Sequence, residues 1–143
     1  MFDFLKKKKV KQLTIKCFTD YITINEQPIS FPTDYDTLTN VLGKPSREIK
    51  KSNIYLMWDD YGIFYGSKDL NNVLSINIYQ NKKDTSEYNT KQQFKGNLFL
   101  DDEDITNNEF VKISLGKNVI HRLGSESETR FGFSIGANPD YKN

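Results

Sequence analysis

Short runs in which apolar and polar residues alternate recur along this chain, and they constrain its fold more than any other feature. In VLSINIYQ, every second residue from Leu74 to Ile78 is apolar, and LTIKCF repeats the pattern between Leu13 and Cys17. Side chains of a strand point alternately to its two faces, so such runs predict strands with one buried and one wet face. We therefore expect Leu74, Ile76 and Ile78 to enter a core together.

One segment, FPTDYDTLTNVLGKP, has helical periodicity. Thr33 is the expected N-cap, with Asp36 three residues later in a capping-box arrangement. Gly43 and Pro45 are expected to end the helix. The apolar face consists of Tyr35, Leu38, Val41 and Leu42. A helix over about residues 34–42 is marginal in isolation, so it must pack on a sheet.

The remaining runs supply enough strands for a sheet. Two hairpins are predicted, ITINEQPISF with its turn at residues 25–27 and NLFLDDEDIT with its turn at residues 101–103. Further strands are predicted at 54–59, 62–66, 73–80 and in RFGFSIG, whereas the polar segment 81–93 and HRLGSESETR are predicted loops. The expected fold class is α+β, with an antiparallel sheet of about six or more strands and one short helix packed across it.

Residues 107–115 allow two interpretations. Thr106 can begin a capping box, which predicts a helix. However, Val111, Ile113 and Leu115 alternate with polar residues, as in a strand. The strand is favoured because valine and isoleucine are weaker helix formers.

The length of 143 residues suits one domain, which we place at residues 13–143 after a flexible basic tail at 1–12. The apolar run after the tail's lysines is interrupted by Lys11 and Lys16, unlike a secretory signal. No stretch approaches the ~20 apolar residues of a membrane span. The single Cys17 cannot form an intrachain disulfide, which is typical of a reducing compartment. We therefore expect a cytoplasmic protein.

Composition and motifs argue against several classes of function. The net charge of +1 gives no general attraction to nucleic acid. One cysteine and one histidine, Cys17 and His121, cannot form a zinc site, and the DDED run lacks the spacing of a calcium loop. No phosphate-binding loop or nucleophile motif is present. We expect no metal, no cofactor and no enzymatic activity.

The aromatic stretch YLMWDDYGIFYG has two interpretations. In the first, Trp58 fills the core against Leu38 and Leu42, and Asp60 and Gly62 form a turn. In the second, the opposite face of the strand is a binding surface, made from Tyr55, Met57, Asp59 and Tyr79. Adjacent carboxylates on a strand point to opposite faces, so the two aspartates cannot form a close acid–base pair.

The segments ITINEQPISFP, LTNVLGKPSRE, IYLMWDDYGIFYG, VLSINIY and FKGNLFLDDEDI occur in that order. Over residues 21–106 the chain resembles a family of small bacterial proteins of unknown function, DUF7738, in its LGxPSR and WDDxGI motifs. The helix-and-sheet unit is also similar to BamE-like and beta-lactamase-inhibitor-protein-like folds. The resemblance implies no known enzyme activity, no cofactor and no catalytic residues.

Small proteins of this kind are similar to immunity proteins, which bind and block a cognate bacterial toxin. We therefore expect a non-enzymatic binding protein whose partner is a protein toxin. One alternative is a small hydrolase or ligand-binding enzyme that uses Asp59, and another is a structural subunit of a larger assembly. The oligomeric state stays open. Two partner-binding surfaces are predicted, the sheet face with Tyr55, Asp59 and Tyr79 and an acidic hairpin with Asp101, Asp102 and Asp104.

Overall fold

The computed structural model describes residues 12–80, 90–108, 112–123 and 132–141, which form twelve strands and one helix. The strands of the first half are β1 (Thr14–Cys17), β2 (Ile22–Ile24), β3 (Gln27–Ile29), β4 (Arg47–Lys50), β5 (Ile54–Trp58) and β6 (Ile63–Ser67), with helix α1 (Tyr35–Leu42) between β3 and β4. The second half contains β7 (Ser75–Tyr79), β8 (Asn97–Leu100), β9 (Glu103–Asp104), β10 (Lys112–Leu115), β11 (Asn118–Leu123) and β12 (Gly132–Ala137).

The strands form two sheets instead of the single sheet that we expected. The large sheet has seven antiparallel strands in the order β10-β11-β12-β7-β6-β5-β4. The small sheet has the order β3-β2-β1-β8-β9, and its central pair, β1 and β8, is parallel. The fold is therefore mostly β with one short helix. The broad α+β expectation and the antiparallel sheet of more than six strands are confirmed, and the second, mixed sheet was not predicted.

One core joins the two sheets and the helix. Ile15 and Ile24 of the small sheet belong to the same buried cluster as Ile76 and Trp58 of the large sheet. The helix contributes two fully or nearly fully buried leucines, Leu38 and Leu42, as its apolar face predicts. Burying this apolar surface supplies most of the folding free energy, because a helix of eight residues and strands of two to six are not stable alone.

The predicted core residue Leu74 is not in the core. Its side chain is 55% exposed, whereas Ile76 and Ile78 are fully buried. Strand β7 begins only at Ser75, and the neighbouring residue Val73 forms an isolated bridge with Thr33. Val73 is 1% exposed and takes the place in the core that the alternation assigned to Leu74.

The N-cap of the helix is Asp34, not Thr33. Asp34 has an extended backbone, and its Oδ1 accepts the Thr37 N–H at 2.8 Å. Thr33 instead exchanges two backbone hydrogen bonds with Val73, at 2.8 and 2.7 Å. The tertiary pairing therefore moved the helix start by one residue. Gly43 ends the helix with a φ of 82° and donates its N–H to the Thr39 carbonyl, as predicted for a C-terminal glycine.

Two strands were not predicted. Strand β4 has the sequence REIK, and its charged residues hide the strand pattern of a segment that pairs with β5. Strand β11 includes residues 121–123, which we assigned to a loop, and it lies between β10 and β12. Both strands are defined by backbone pairing. Strand β4 is charged at three of its four positions, and the buried residues of β11 are consecutive, so neither segment predicts a strand by its apolar alternation.

Several other expectations concern loops and termini. Residues 112–115 form a strand, which confirms the favoured interpretation for that part of the ambiguous segment. The predicted tail at 1–12 and the predicted loop at 81–93 lie outside the described residues except for Gln12 and residues 90–93.

Candidate functional site

The two motifs that carried the family resemblance contact each other directly. Arg47 of LGKPSR donates from Nε to Asp59 Oδ2 at 2.7 Å and from Nη2 to Asp59 Oδ1 at 2.9 Å. A guanidinium and a carboxylate that meet at two points form one of the stronger and more directional polar contacts in proteins. The pair joins the start of the edge strand β4 to the residue that follows β5.

Backbone and hydroxyl contacts continue this junction. The Asp59 N–H donates to Ser46 Oγ at 2.8 Å, and the Ser46 N–H donates to the Met57 carbonyl at 2.7 Å. The Trp58 indole N–H donates to the Gly43 carbonyl at 2.8 Å. Contacts along the LGKPSR segment, from Gly43 at the helix end to Arg47 at the start of β4, therefore position Trp58 and Asp59. This confirms that Trp58 is a core residue, since its side chain is 2% exposed.

Asp59 is a buried residue, although we predicted it on an exposed binding face. It is 4% exposed, and its Oδ1 also accepts the Lys91 N–H at 2.9 Å. Burial raises the pKa of this carboxyl, but the hydrogen bonds and positive charges of Arg47 and Lys91 outweigh burial, so the net pKa lies below its ordinary value. The Gln92 N–H also donates to the Asp59 carbonyl, at 3.0 Å. Hydrogen bonds to Asp59 thus join residues 91–92 to the end of β5.

The aromatic residues that we predicted on one sheet face do lie on one face. Opposite residues across strands share a face, and Phe64 lies opposite Met57 on one side and Asn77 on the other. Tyr55 and Tyr79 point to this same face, which is turned away from the shared core. We call it the outer face. It consists, in the described strands, of residues that include Tyr55, Met57, Phe64, Asn77, Tyr79, His121 and Ser134.

The rings on the outer face have fixed positions. Phe64 and Tyr79 stack with their centroids 4.6 Å apart and an angle of 14° between the ring planes. Tyr55 covers Gly66, where a Cβ atom would lie 2.8 Å from the tyrosine ring. Met57 is fully buried, whereas the three rings are half-buried. A partly exposed aromatic platform over a buried methionine can bury further apolar surface against a partner.

Polar groups continue the outer face beyond the rings. The row that contains Phe64 runs through Asn77 and Ser134 to His121 and Lys112. We had not included Phe64 in the predicted face, although the alternation of GIFYG would have indicated its direction. His121 could not be placed from the sequence, because it lies in the strand that we interpreted as a loop.

The acidic hairpin is a second, separate surface on the small sheet. Asp101 and Asp102 form the exposed turn between β8 and β9, and Asp104 lies on the edge strand β9. The Thr106 hydroxyl and N–H, with the Asn97 amide, donate to Asp104 and lower the pKa of its carboxyl. The structure therefore divides the predicted partner-binding residues between the two sheets. Asp59 is buried, whereas the three aspartates of the hairpin are exposed.

Two observations concern metal binding and thiol reactivity among the described residues. No three histidine, cysteine, aspartate or glutamate side chains among them lie close enough to hold a metal ion. Burial raises the pKa of the Cys17 thiol to about 12, so it is not a nucleophile at neutral pH. A cavity of about 410 Å³ lies on the small sheet, and it is lined by Thr14, Lys16, Thr23, Asn25 and Glu26.

Comparison with known proteins gives one match. A family model, described as a domain of unknown function (DUF7738), matches residues 14–115. The match includes both motifs and strands β1 to β10, and it ends before β11 and β12, which complete the large sheet. No curated protein and no solved structure matches the chain. In the part of the chain that the structure describes, no helix has the length and apolar character needed to span a bilayer.

Proposed function

We propose that this chain, which belongs to the DUF7738 family of domains of unknown function, is a non-enzymatic binding protein that neutralises a protein toxin. The observation that carries the binding proposal is the outer face. Its three rings are half-exposed. Phe64 and Tyr79 stack on each other and Tyr55 lies against Gly66, so a partner can cover the rings with little loss of side-chain entropy.

The state of Asp59 also favours binding over carboxylate chemistry. A general acid or base needs a free oxygen directed at a substrate, and its pKa is tuned toward the working pH. Both Asp59 oxygens accept hydrogen bonds within the protein, and the pKa of the carboxyl is shifted in the opposite direction. The residue on which the hydrolase alternative depended is therefore engaged in holding the fold together.

The toxin proposal draws on the family resemblance and on the charge of the acidic hairpin. Toxins that act on nucleic acid carry basic active sites, which an acidic loop complements electrostatically. Asp101, Asp102, Glu103 and Asp104 are exposed in one hairpin. In this proposal the rings supply most of the affinity, and the hairpin raises the rate of association.

Binding kinetics against the product of the adjacent gene test the proposal. Tyr79→Ala should increase the dissociation rate, because it removes half of the Phe64–Tyr79 stack. Neutralising Asp101, Asp102 and Asp104 together should slow association and reduce its salt dependence. Asn40→Ala, at an exposed position of helix α1 that belongs to neither surface, is the matched control and should bind like the unchanged protein.

Two results would count against the proposal. If the adjacent gene product does not bind at all, the toxin assignment is wrong. If it binds but neither substitution changes the kinetics, the partner uses a different surface.

A further inference from the structure

Strand β10 is the least protected edge of the two sheets. Among the described strands, four lie at sheet edges: β3, β9, β4 and β10. Strand β3 has three residues, with Pro28 at its centre. Strand β9 has two residues, and both are acidic. Strand β4 is charged at three of its four positions. Such features prevent edge-to-edge pairing. Strand β10, KISL, has four residues, no proline and one charge at its end.

The backbone groups that β10 directs away from the sheet belong to Lys112 and Ser114. Leu115 lies opposite Asn118 and is joined to it by the two-residue turn 116–117. In such hairpins the residues that close the loop exchange both backbone hydrogen bonds, and the pattern repeats every second residue. Leu115 and Ile113 therefore direct their backbone groups toward β11, and Ser114 directs its N–H and C=O away from the sheet.

Apolar side chains surround this edge. Ile113 and Leu115 pack against the core but remain partly exposed, and Ser114 is exposed on the opposite face. Of the large hydrophobic side chains that are exposed in the described residues, two out of three lie near the β10–β11 turn, namely Tyr21 at 40% and Tyr141 at 39%.

Hydrogen bonds fix both tyrosines beside this turn. Asp20, which precedes Tyr21, accepts the Lys117 N–H at 3.2 Å. Tyr141 donates its N–H to the Asn138 carbonyl at 3.2 Å, and the Asn138 amide donates to the Gly116 carbonyl at 3.0 Å. The open edge and the exposed rings therefore belong to one end of the molecule.

We propose that β10 pairs with β10 of a second copy of this chain, antiparallel and centred on Ser114. The sequence of β10 is self-complementary in this register. Ser114 lies opposite Ser114 of the second copy, and their backbone groups exchange two hydrogen bonds. Ile113 lies opposite Leu115 of the second copy, on the core side, so each half-exposed apolar residue gains an apolar neighbour.

The charges suit the same register. Lys112 lies opposite Gly116 of the second copy, so no like charges face each other across the two-fold axis. Within one chain, Lys112 and Asp140 already lie 3.3 Å apart.

The dimer should be weak and concentration-dependent. A stable protein interface buries about 1,600 Å² in total, and two strands of four residues supply only part of that area. Tyr21 and Tyr141 extend the contact on either side of the turn. The inference is independent of the proposed function, because neither the outer-face rings nor the acidic hairpin takes part in it.

Sedimentation velocity from micromolar to near-millimolar concentration measures the dimer directly. The unchanged chain should shift from monomer to dimer, and Ser114→Lys should remain monomeric because it places two lysines opposite each other. Gln27→Lys, an exposed residue on the edge strand β3, is the matched control and should dimerise like the unchanged chain. Melting temperatures of both variants establish that they are folded, and Ser114→Asp replaces Ser114→Lys if the latter is unfolded.

A cross-linking measurement gives an independent result. Directly opposite residues of an antiparallel pair lie within the Cα distance that a disulfide requires. Ser114→Cys should therefore oxidise to a covalent dimer much faster than Gln27→Cys, while the native Cys17 is buried. A chain that stays monomeric at every concentration, equal dimerisation of Ser114→Lys, or equal oxidation of the two cysteine variants would each overturn the proposal.

Discussion

The Arg47 guanidinium meets the Asp59 carboxylate at two points, with N···O distances of 2.7 and 2.9 Å, and so ties the edge strand β4 to the end of β5. The carboxylate is almost completely buried, and the arginine side chain is 28% exposed. Removing one member of such a pair leaves a charge without its partner in a low-dielectric environment. The pair therefore matters more for stability than the exposed ion pairs of the same chain.

A double-mutant cycle measures this difference. Asp59→Ala, Arg47→Ala and the double variant should give a coupling free energy of about 1–3 kcal/mol in urea unfolding. The control cycle uses the exposed pair Lys112 and Asp140, whose coupling should lie between about 0 and 1 kcal/mol. Equal coupling in the two cycles would show that burial does not strengthen the Arg47–Asp59 pair.

The contribution of Asp59 to stability should depend on pH. Its pKa in the folded protein is lower than its ordinary value, so folding favours the ionised form. The stabilisation is therefore complete above the pKa of an unfolded aspartate, about 3.9, and is lost as the pH falls through the lower folded value. The free energy of unfolding should differ most between the unchanged protein and Asp59→Asn at neutral pH. This difference should shrink as the pH falls below about 4, and a constant difference would contradict the assignment.

Substitutions of Trp58 and Leu74 compare a buried side chain with an exposed one. Trp58→Ala removes a ring that is 2% exposed and packs against the Tyr65 ring, with 5.9 Å between the two centroids. The substitution should therefore lower the free energy of unfolding by about 3–5 kcal/mol. Leu74→Ala shortens a side chain that is 55% exposed and should change stability by less than about 0.5 kcal/mol. Chemical denaturation measures the free energy of unfolding of both variants. A large decrease for Leu74→Ala would show that Leu74 is a core residue.

Cys17 should resist alkylation in the folded protein. Burial raises the pKa of its thiol to about 12, so almost no thiolate is present at pH 8. Iodoacetamide at pH 8 should label the native chain very slowly and the chain in denaturant rapidly. The exposed Gln27→Cys variant serves as a control, because its added cysteine should be labelled quickly in the folded state. Rapid native labelling of Cys17 would mean that this part of the core opens.

The amino-acid sequence alone was sufficient for several of the local elements, although not for β4 and β11. Alternation in LTIKCF and SINIY predicts which residues of β1 and β7 are buried, because side-chain direction in a strand is fixed by the backbone. The spacing of Leu38 and Leu42 predicts the helix, and Gly43 predicts its end. The family resemblance located both motifs, and the family match now extends over residues 14–115.

Only the tertiary structure decided how these elements are paired. The contact between β1 and β8 is parallel and joins Ile15 to Leu98, although the two residues are far apart along the chain. Ser46 and Arg47 reach Asp59 only because β4 pairs with β5. Val73 replaces Leu74 in the core because Thr33 holds it. Strand pairing uses backbone groups that every residue except proline carries, so the sequence shows which face of a strand is buried, while the choice of neighbour depends on the packing of the whole chain.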